Sequence, residues 1–239
     1  LDTFKKTSTR SALTWVKLGS ILMSSPQGLK ALVLCRGNSL SRIREIKDDN
    51  FDLVCLVNEW GRQVFMQKEF KEILQGKKAV HYLNREPRLS WFMGLENIVS
   101  VEKYILNVLE GEFKNSTIPG MISKVKKDAK VVPLSENMYD HGLKIRPDRA
   151  SFPSTGVLAL VDSVVNQKAT DVTVISLDFF EDSYFSENSF TQKKEPGENQ
   201  KKKGSKMKSF VSEFLSNNPE VNFTFITNSS FDPKLNHVS

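Results

Sequence analysis

The chain has 239 residues, with 34 Lys and Arg against 28 Asp and Glu, a formal net charge of +6, 39% hydrophobic and 26% charged residues, 12 glycines and 9 prolines. That length admits one large α/β unit or two small ones, and the composition excludes collagen-like, mucin-like and globally disordered chains. The basic surplus suits a nucleotide, a nucleic acid or an anionic surface without selecting one, and most of it sits in Lys193, Lys194, Lys201, Lys202, Lys203, Lys206 and Lys208, offset locally by Glu195 and Glu198. Outside that segment the chain is nearly neutral, so its overall basicity is weak support for nucleic-acid binding.

Residues 1–28 are polar, with an amphipathic stretch from Ala12 to Met23 that reads as a helix on the domain edge. The sequence starts at Leu1 without a basic-then-apolar leader, which reads as a fragment or processed chain whose anchor or targeting segment was left out. The compartment is then secretory or membrane-associated if the chain is a fragment and cytoplasmic if it is complete. Membrane association is expected only through such missing segments, because the apolar runs fall far short of the ~20 residues that cross a bilayer.

Leu29 to Cys35 is a continuous apolar run that predicts a buried strand, followed by a turn at Arg36-Gly37-Asn38-Ser39-Leu40. A short helix is expected from Leu40 to about Lys47, a second buried strand from Phe51 to Val57 ending at Asn58, a helix over 63–75 and a third strand from Ala79 to Leu83. Residues 98–109 read as helical or mixed, 129–134 as a strand, and 135–152 as a loop or lid without stable period. Ser154 or Thr155 is the expected cap of a helix over 157–165, with Asp162 at its polar edge. Val172 to Leu177 predicts a strand ending at Asp178, residues 193–208 a lysine-rich loop, Met207 to Leu215 a helix and Val221 to Ile226 the last strand. Strands alternating with helices predict an α/β fold: a doubly wound, Rossmann-like, mostly parallel sheet with helices on both faces. Residues 29–230 form the expected domain and 231–239 a tail, with function clustered beyond the carboxyl ends of the strands.

Gly37 lets the backbone approach a ligand, Asn38 and Ser39 offer donors to phosphate or sugar oxygens, and the amino end of the helix at Ser154 offers N–H groups to an anion. The segment is neither the GxGxxG dinucleotide pattern nor a lysine-bearing phosphate loop. Cys35 and Cys55 sit in apolar runs and read as buried thiols, with a disulfide between neighbouring strands as the alternative, and no metal-ligand spacing exists. Among the three histidines, His81 falls inside a strand pattern, His237 in the tail, and His141 in Tyr139-Asp140-His141-Gly142, where Asp140 can orient it towards a site. Arg85, Arg88, Arg146 and Arg149 flank prolines and loops, and Trp60 and Trp91 either border a groove or pack in the core.

The runs Leu32-Val33-Leu34-Cys35-Arg36-Gly37-Asn38-Ser39-Leu40, Phe51-Asp52 with Asn58, Pro153-Ser154-Thr155-Gly156-Val157-Leu158-Ala159-Leu160, and Val174-Ile175-Ser176-Leu177-Asp178-Phe179-Phe180-Glu181 together resemble the sialyltransferases, most closely the bacterial sugar-nucleotide type. The resemblance spans residues 29 to 230. It implies that Gly37, Asn38, Ser39 and Asn58 approach the donor phosphate and sugar, that Ser154, Thr155 and Gly156 hold the cytidine monophosphate part, and that the segment from Asp178 through Phe180 to Glu181 approaches the donor ribose and base. The implied reaction moves an acidic sugar from a CMP-sugar to a glycan hydroxyl with inversion. No tightly bound cofactor and no catalytic metal are expected, and the partners are the nucleotide sugar and a glycan acceptor.

The chain departs from that pattern. Phe180 stands where a tyrosine would serve the leaving phosphate, and phenylalanine cannot donate that hydrogen bond; Tyr184 matches a second tyrosine only with a small gap. The family's histidine base falls where this chain has Lys202 or Lys203, so the catalytic candidates are His141, Tyr184 and Lys203. A lysine base needs a strongly depressed pKa, whereas a lysine paired with phosphate needs none. Two alternatives follow: a catalytically weak or inactive sialyltransferase-like binder of nucleotide or glycan, and a basic nucleic-acid-binding module. Missing sheet-surface aromatics and zinc spacing count against the second alternative.

Overall fold

A computed structural model describes residues 28–46, 50–58, 60, 68–84, 98–108, 110–135, 138, 154–186 and 189–232. Seven strands form one parallel sheet: β1 (Leu29–Leu34), β2 (Leu53–Val57), β3 (Lys78–Leu83), β4 (Ser100–Leu106), β5 (Lys130–Pro133), β6 (Ala169–Ile175) and β9 (Asn222–Ile226), in the order β5-β4-β3-β2-β1-β6-β9. Between β6 and β9, β7 (Tyr184–Ser186) and β8 (Ser189–Lys194) make a separate antiparallel pair. The described helices are α1 (Lys68–Leu74), α2 (Glu110–Lys114), α3 (Ile118–Val125), α4 (Thr155–Val165) and α5 (Glu198–Ser216), with a 3-10 helix over Asn38–Glu45. This is the expected doubly wound α/β arrangement.

Successive strand residues point to opposite faces, so the apolar run of β1 feeds two cores. Ala31 and Val33 join Val157, Leu160, Val211 and Phe214 under α4 and α5, while Leu32 and Leu34 join Leu40, Ile43, Phe70 and Ile122 beneath the 3-10 helix, α1 and α3. Trp60 lies in this second core against Phe70, with ring centroids 6.2 Å apart, rather than at a groove. Both cysteines are buried free thiols.

Three local expectations change. Residues 100–106, expected as helical or mixed, are a strand: the pairing skips Glu102, since Ala79 faces Val101 and Val80 faces Lys103. That bulge breaks the two-residue period, so Val101, Tyr104 and Ile105 fall at a spacing that imitates a helix. The lysine segment is not a loop: Lys193 and Lys194 belong to β8, and Lys201 to Lys208 ride on α5. Asp162 is buried, not at a polar edge; it accepts hydrogen bonds from Tyr82 Oη (2.5 Å), Asn166 Nδ2 (2.6 Å) and Gln167 Nε2 (2.9 Å). Satisfying a buried carboxylate in this way is what makes it tolerable inside.

Candidate functional site: a crevice at the switch point

Strand order reverses between β1 and β6, where open parallel sheets leave a crevice beyond the strand ends. A cavity of about 320 Å³ lies there, at the lower end of small-molecule sites. Its walls come from the ends of β1 (Cys35, Arg36, Gly37), β2 (Val57, Asn58), β3 (Asn84) and β6 (Ser176 to Phe180, with Asp182), and from the starts of α4 (Ser154 to Gly156) and α5 (Gln200, Met207).

Seven of the residues singled out in the sequence therefore meet: Gly37, Asn58, Ser154, Thr155, Gly156, Asp178 and Phe180. Asn38 and Ser39 stand behind the wall. Asn38 Nδ2 donates to Asp182 at 2.8 Å, and Ser39 is fully buried beneath the crevice. Lys203 is exposed on α5 and does not line the cavity. Tyr184 is described only as backbone in β7, and His141, His237, Arg85, Arg88, Arg146, Arg149 and Trp91 lie outside the described residues.

The α4 terminus presents backbone donors to the crevice. Ser154 caps the helix by accepting from the Val157 N–H at 3.3 Å, and its own N–H donates to Met207 Sδ at 3.4 Å, joining α4 to α5. Val157 and Leu158 N–H groups are thus taken, while those of Thr155 and Gly156 keep no partner among the described residues and border the cavity. Two such N–H groups at the positive end of a helix attract a phosphate. Gly156 is required by packing: a Cβ there would stand 2.7 Å from Cys35 Sγ.

Backbone strain concentrates around the same cavity. Asn58, Ser176, Phe179 and Phe180 all have positive φ, at 60°, 69°, 51° and 59°. Each such residue other than glycine costs on the order of 1–3 kcal/mol and persists only where its surroundings enforce it, a pattern of ligand sites. Asn58 is enforced by its own N–H donating to Tyr82 O at 2.7 Å, by Asn84 N–H donating to its Oδ1 at 3.0 Å, and by the His81 ring nitrogen Nε2 2.5 Å from its carbonyl oxygen. The Asn58 amide nitrogen is left as a donor on the crevice wall, without a partner among the described residues.

Asp178 holds the site together. Its carboxylate accepts from Ser39 N–H (2.9 Å), Ser39 Oγ, Thr227 Oγ1 (2.9 Å) and Asn228 N–H (3.1 Å), tying the β1 turn to the end of β9. A neighbouring clasp links Glu181 to Lys208, and both to Ser230. Burial raises the Glu181 carboxyl, but the Lys208 hydrogen bond and the Ser230 N–H outweigh that and leave it below the usual range. Asp182 is also held low, chiefly by the Asn38 hydrogen bond, so it stands in the wall as a carboxylate at neutral pH. The Cys35 thiol is pushed up by burial, with Asp178 adding to it, and is no nucleophile at neutral pH.

His81 stays neutral. Burial lowers its pKa to about 4, against the raising effect of the Asn58 carbonyl. The unfolded chain, with an imidazole near 6.5, therefore binds the proton more readily, so the His81 contribution is complete above pH 6.5 and declines as pH falls towards 4. The full shift corresponds to about 3 kcal/mol. Urea unfolding across this window is expected to follow that slope, and His81→Gln to flatten it; an unchanged slope in the variant removes the assignment.

Sequence reading missed Arg36, Asn84, Asp182, Gln200 and Met207 as wall residues. Arg36 lies inside one motif already noted and Asp182 directly after another; Gln200 and Met207 carry no local signal, because their place depends on how α5 docks. Among the described residues there is no group of three or more His, Cys, Asp or Glu that could hold a metal ion. No protein-family model, no curated protein and no solved structure matches the chain.

Proposed function

We propose that the chain binds a CMP-activated acidic sugar in the switch-point crevice and transfers the sugar to a glycan hydroxyl. The observation that carries this reading is convergence: Gly37, Asn58, Ser154 to Gly156 and Asp178 to Phe180, far apart in sequence, are the segments that resemble sialyltransferases, and they line one cavity around which positive-φ residues gather. In the proposed step the acceptor oxygen bonds to the anomeric carbon, the bond from that carbon to the phosphate oxygen breaks with its electron pair, and the acceptor proton passes to a base. The unpartnered Thr155 and Gly156 N–H groups and the Asn58 amide suit the charge that grows on the departing CMP. His141 is the base this reading names, with Lys203 on α5 as a source of fixed positive charge and Tyr184 as a hydroxyl; the chemistry calls for no metal.

Calorimetric titration with CMP, CDP, UMP and AMP tests the reading. CMP is expected to bind best, and Asn58→Asp, which keeps the shape but removes the donor, to weaken it about tenfold. Equal affinity for AMP, or no nucleotide bound by folded protein, sinks the donor assignment. CMP binding without consumption of a CMP-sugar in the presence of glycan acceptors identifies a nucleotide-sugar binder instead of a transferase.

A further inference from the structure

Arg36 is the one cationic side chain among the described residues that line the crevice; the rest of the wall is neutral or acidic. Its place follows from the backbone that leaves β1. The chain stays extended beyond Leu34: the Cys35 N–H donates to the carbonyl of Ile175 and the Gly37 N–H to that of Ser176, each at 2.9 Å, and Gly37 itself has φ −71° and ψ 171°. Successive side chains of an extended segment leave on opposite faces. Cys35 faces α4, since a Cβ on Gly156 would meet its Sγ at 2.7 Å, so Arg36 leaves on the other face, the one Leu34 shares with Leu40 and Ile43 of the 3-10 helix.

Positive charge therefore reaches the crevice from two sides of the sheet. On one side stand the Thr155 and Gly156 N–H groups, joined by the Thr155 hydroxyl, which is 6% exposed and has no hydrogen-bond partner among the described residues. Those donors suit one phosphate without help from a side-chain cation. On the other side stands Arg36. The two carboxylates of the wall are satisfied by other donors: Asp178 by Ser39, Thr227 and Asn228, and Asp182 by Asn38, Asn228 and Ser183. Two separated sources of positive charge match a ligand that carries two separated anionic groups.

We propose that Arg36 selects the acidic sugar, its guanidinium pairing with the sugar carboxylate while the start of α4 holds the phosphate. The inference rests on the donor reading above and adds the residue that tells an acidic sugar from a neutral one. A guanidinium suits the task because its parallel N–H groups match both carboxylate oxygens and its charge persists at every working pH. A neutral sugar forgoes that pair and keeps only the contacts of its nucleotide.

Calorimetric titration of the full chain tests the proposal with three ligands: CMP, a hydrolysis-resistant analogue of CMP-sialic acid, and the same analogue with its sugar carboxylate methylated. The parent protein is expected to bind the acid at least tenfold tighter than the ester. Arg36→Gln is expected to abolish that preference, and Arg36→Lys, which keeps the charge but loses the two-point geometry, to retain part of it. An Arg36→Gln protein that still prefers the acid overturns the proposal. So does one that loses as much affinity for CMP and for the ester as for the acid, because Arg36 then serves the phosphate. The two readings fail differently: CMP bound by the parent with no difference between acid and ester removes the role of Arg36 alone, whereas a folded parent that binds none of the three ligands removes the donor site and this role with it.

Discussion

Gly204→Ala is expected to destabilise the fold by about 2 kcal/mol, although alanine is the better helix former by about 1 kcal/mol. A Cβ at Gly204 would stand 1.8 Å from the carbonyl oxygen of Phe179 and 2.9 Å from its carbon. Those are backbone atoms, so no side chain can swing aside, and overpacking of about 3 kcal/mol overtakes the helix gain. Because Phe179 and Phe180 carry the left-handed turn of the crevice wall, pushing α5 outward also moves Gln200 and Met207, and CMP affinity is expected to fall with stability. Gly111 and Gly120 supply the control: both lie in helices where a Cβ meets nothing within 4 Å, and alanine at either is expected to change stability by between zero and about 1 kcal/mol in the favourable direction. Urea unfolding of the three variants checks this, and a stabilised Gly204→Ala rules out the close approach between α5 and Phe179.

The same contact explains what the sequence could not disclose. The run of β1 and the Ser154 cap are local signals: consecutive apolar residues for a strand buried on both faces, and a side-chain oxygen three residues before a free N–H. Asn58 was legible as the residue ending the second apolar run and through the resemblance, and its left-handed backbone is one that asparagine tolerates. Phe179 and Phe180 were not, since bulky residues avoid that region and are held there by a helix that begins about twenty residues later. Gly204 interrupts the apolar pattern of α5 and leaves the lysines as the dominant signal, which is why a helix reads as a loop until its inward stripe is seen against the crevice. Glu102 has a comparable effect in β4, where one bulged residue converts a two-residue period into an apparent helical one.

Asp178 was legible as a residue at a strand end, but its geometry gives it a different emphasis from ligand contact, and substitution separates the two roles. Asp178→Ala is expected to cost about 3 kcal/mol. The Ser39 and Thr227 hydroxyls have second acceptors in the carbonyls of Ile226 (3.4 Å) and Leu177 (3.2 Å), but the backbone N–H groups of Ser39 and Asn228 have no such alternative. Each orphaned N–H costs about 1–3 kcal/mol, with Ser39 at the upper end because it is fully buried and Asn228 lower because it is partly wet. Asp178→Asn keeps one oxygen for the Thr227 and Asn228 donors and turns an NH₂ towards the Ser39 N–H, so about half of that loss is expected. Nucleotide affinity should decline in the same order, since the carboxylate fixes the turn that carries Gly37 and a Cβ at Gly37 would already lie 2.3 Å from its Oδ2. Urea unfolding alongside CMP titration decides the matter: an Asp178→Asn protein as stable as the parent but blind to CMP would assign the carboxylate to the ligand, whereas parallel losses assign it to holding β1, β6 and β9 around the crevice.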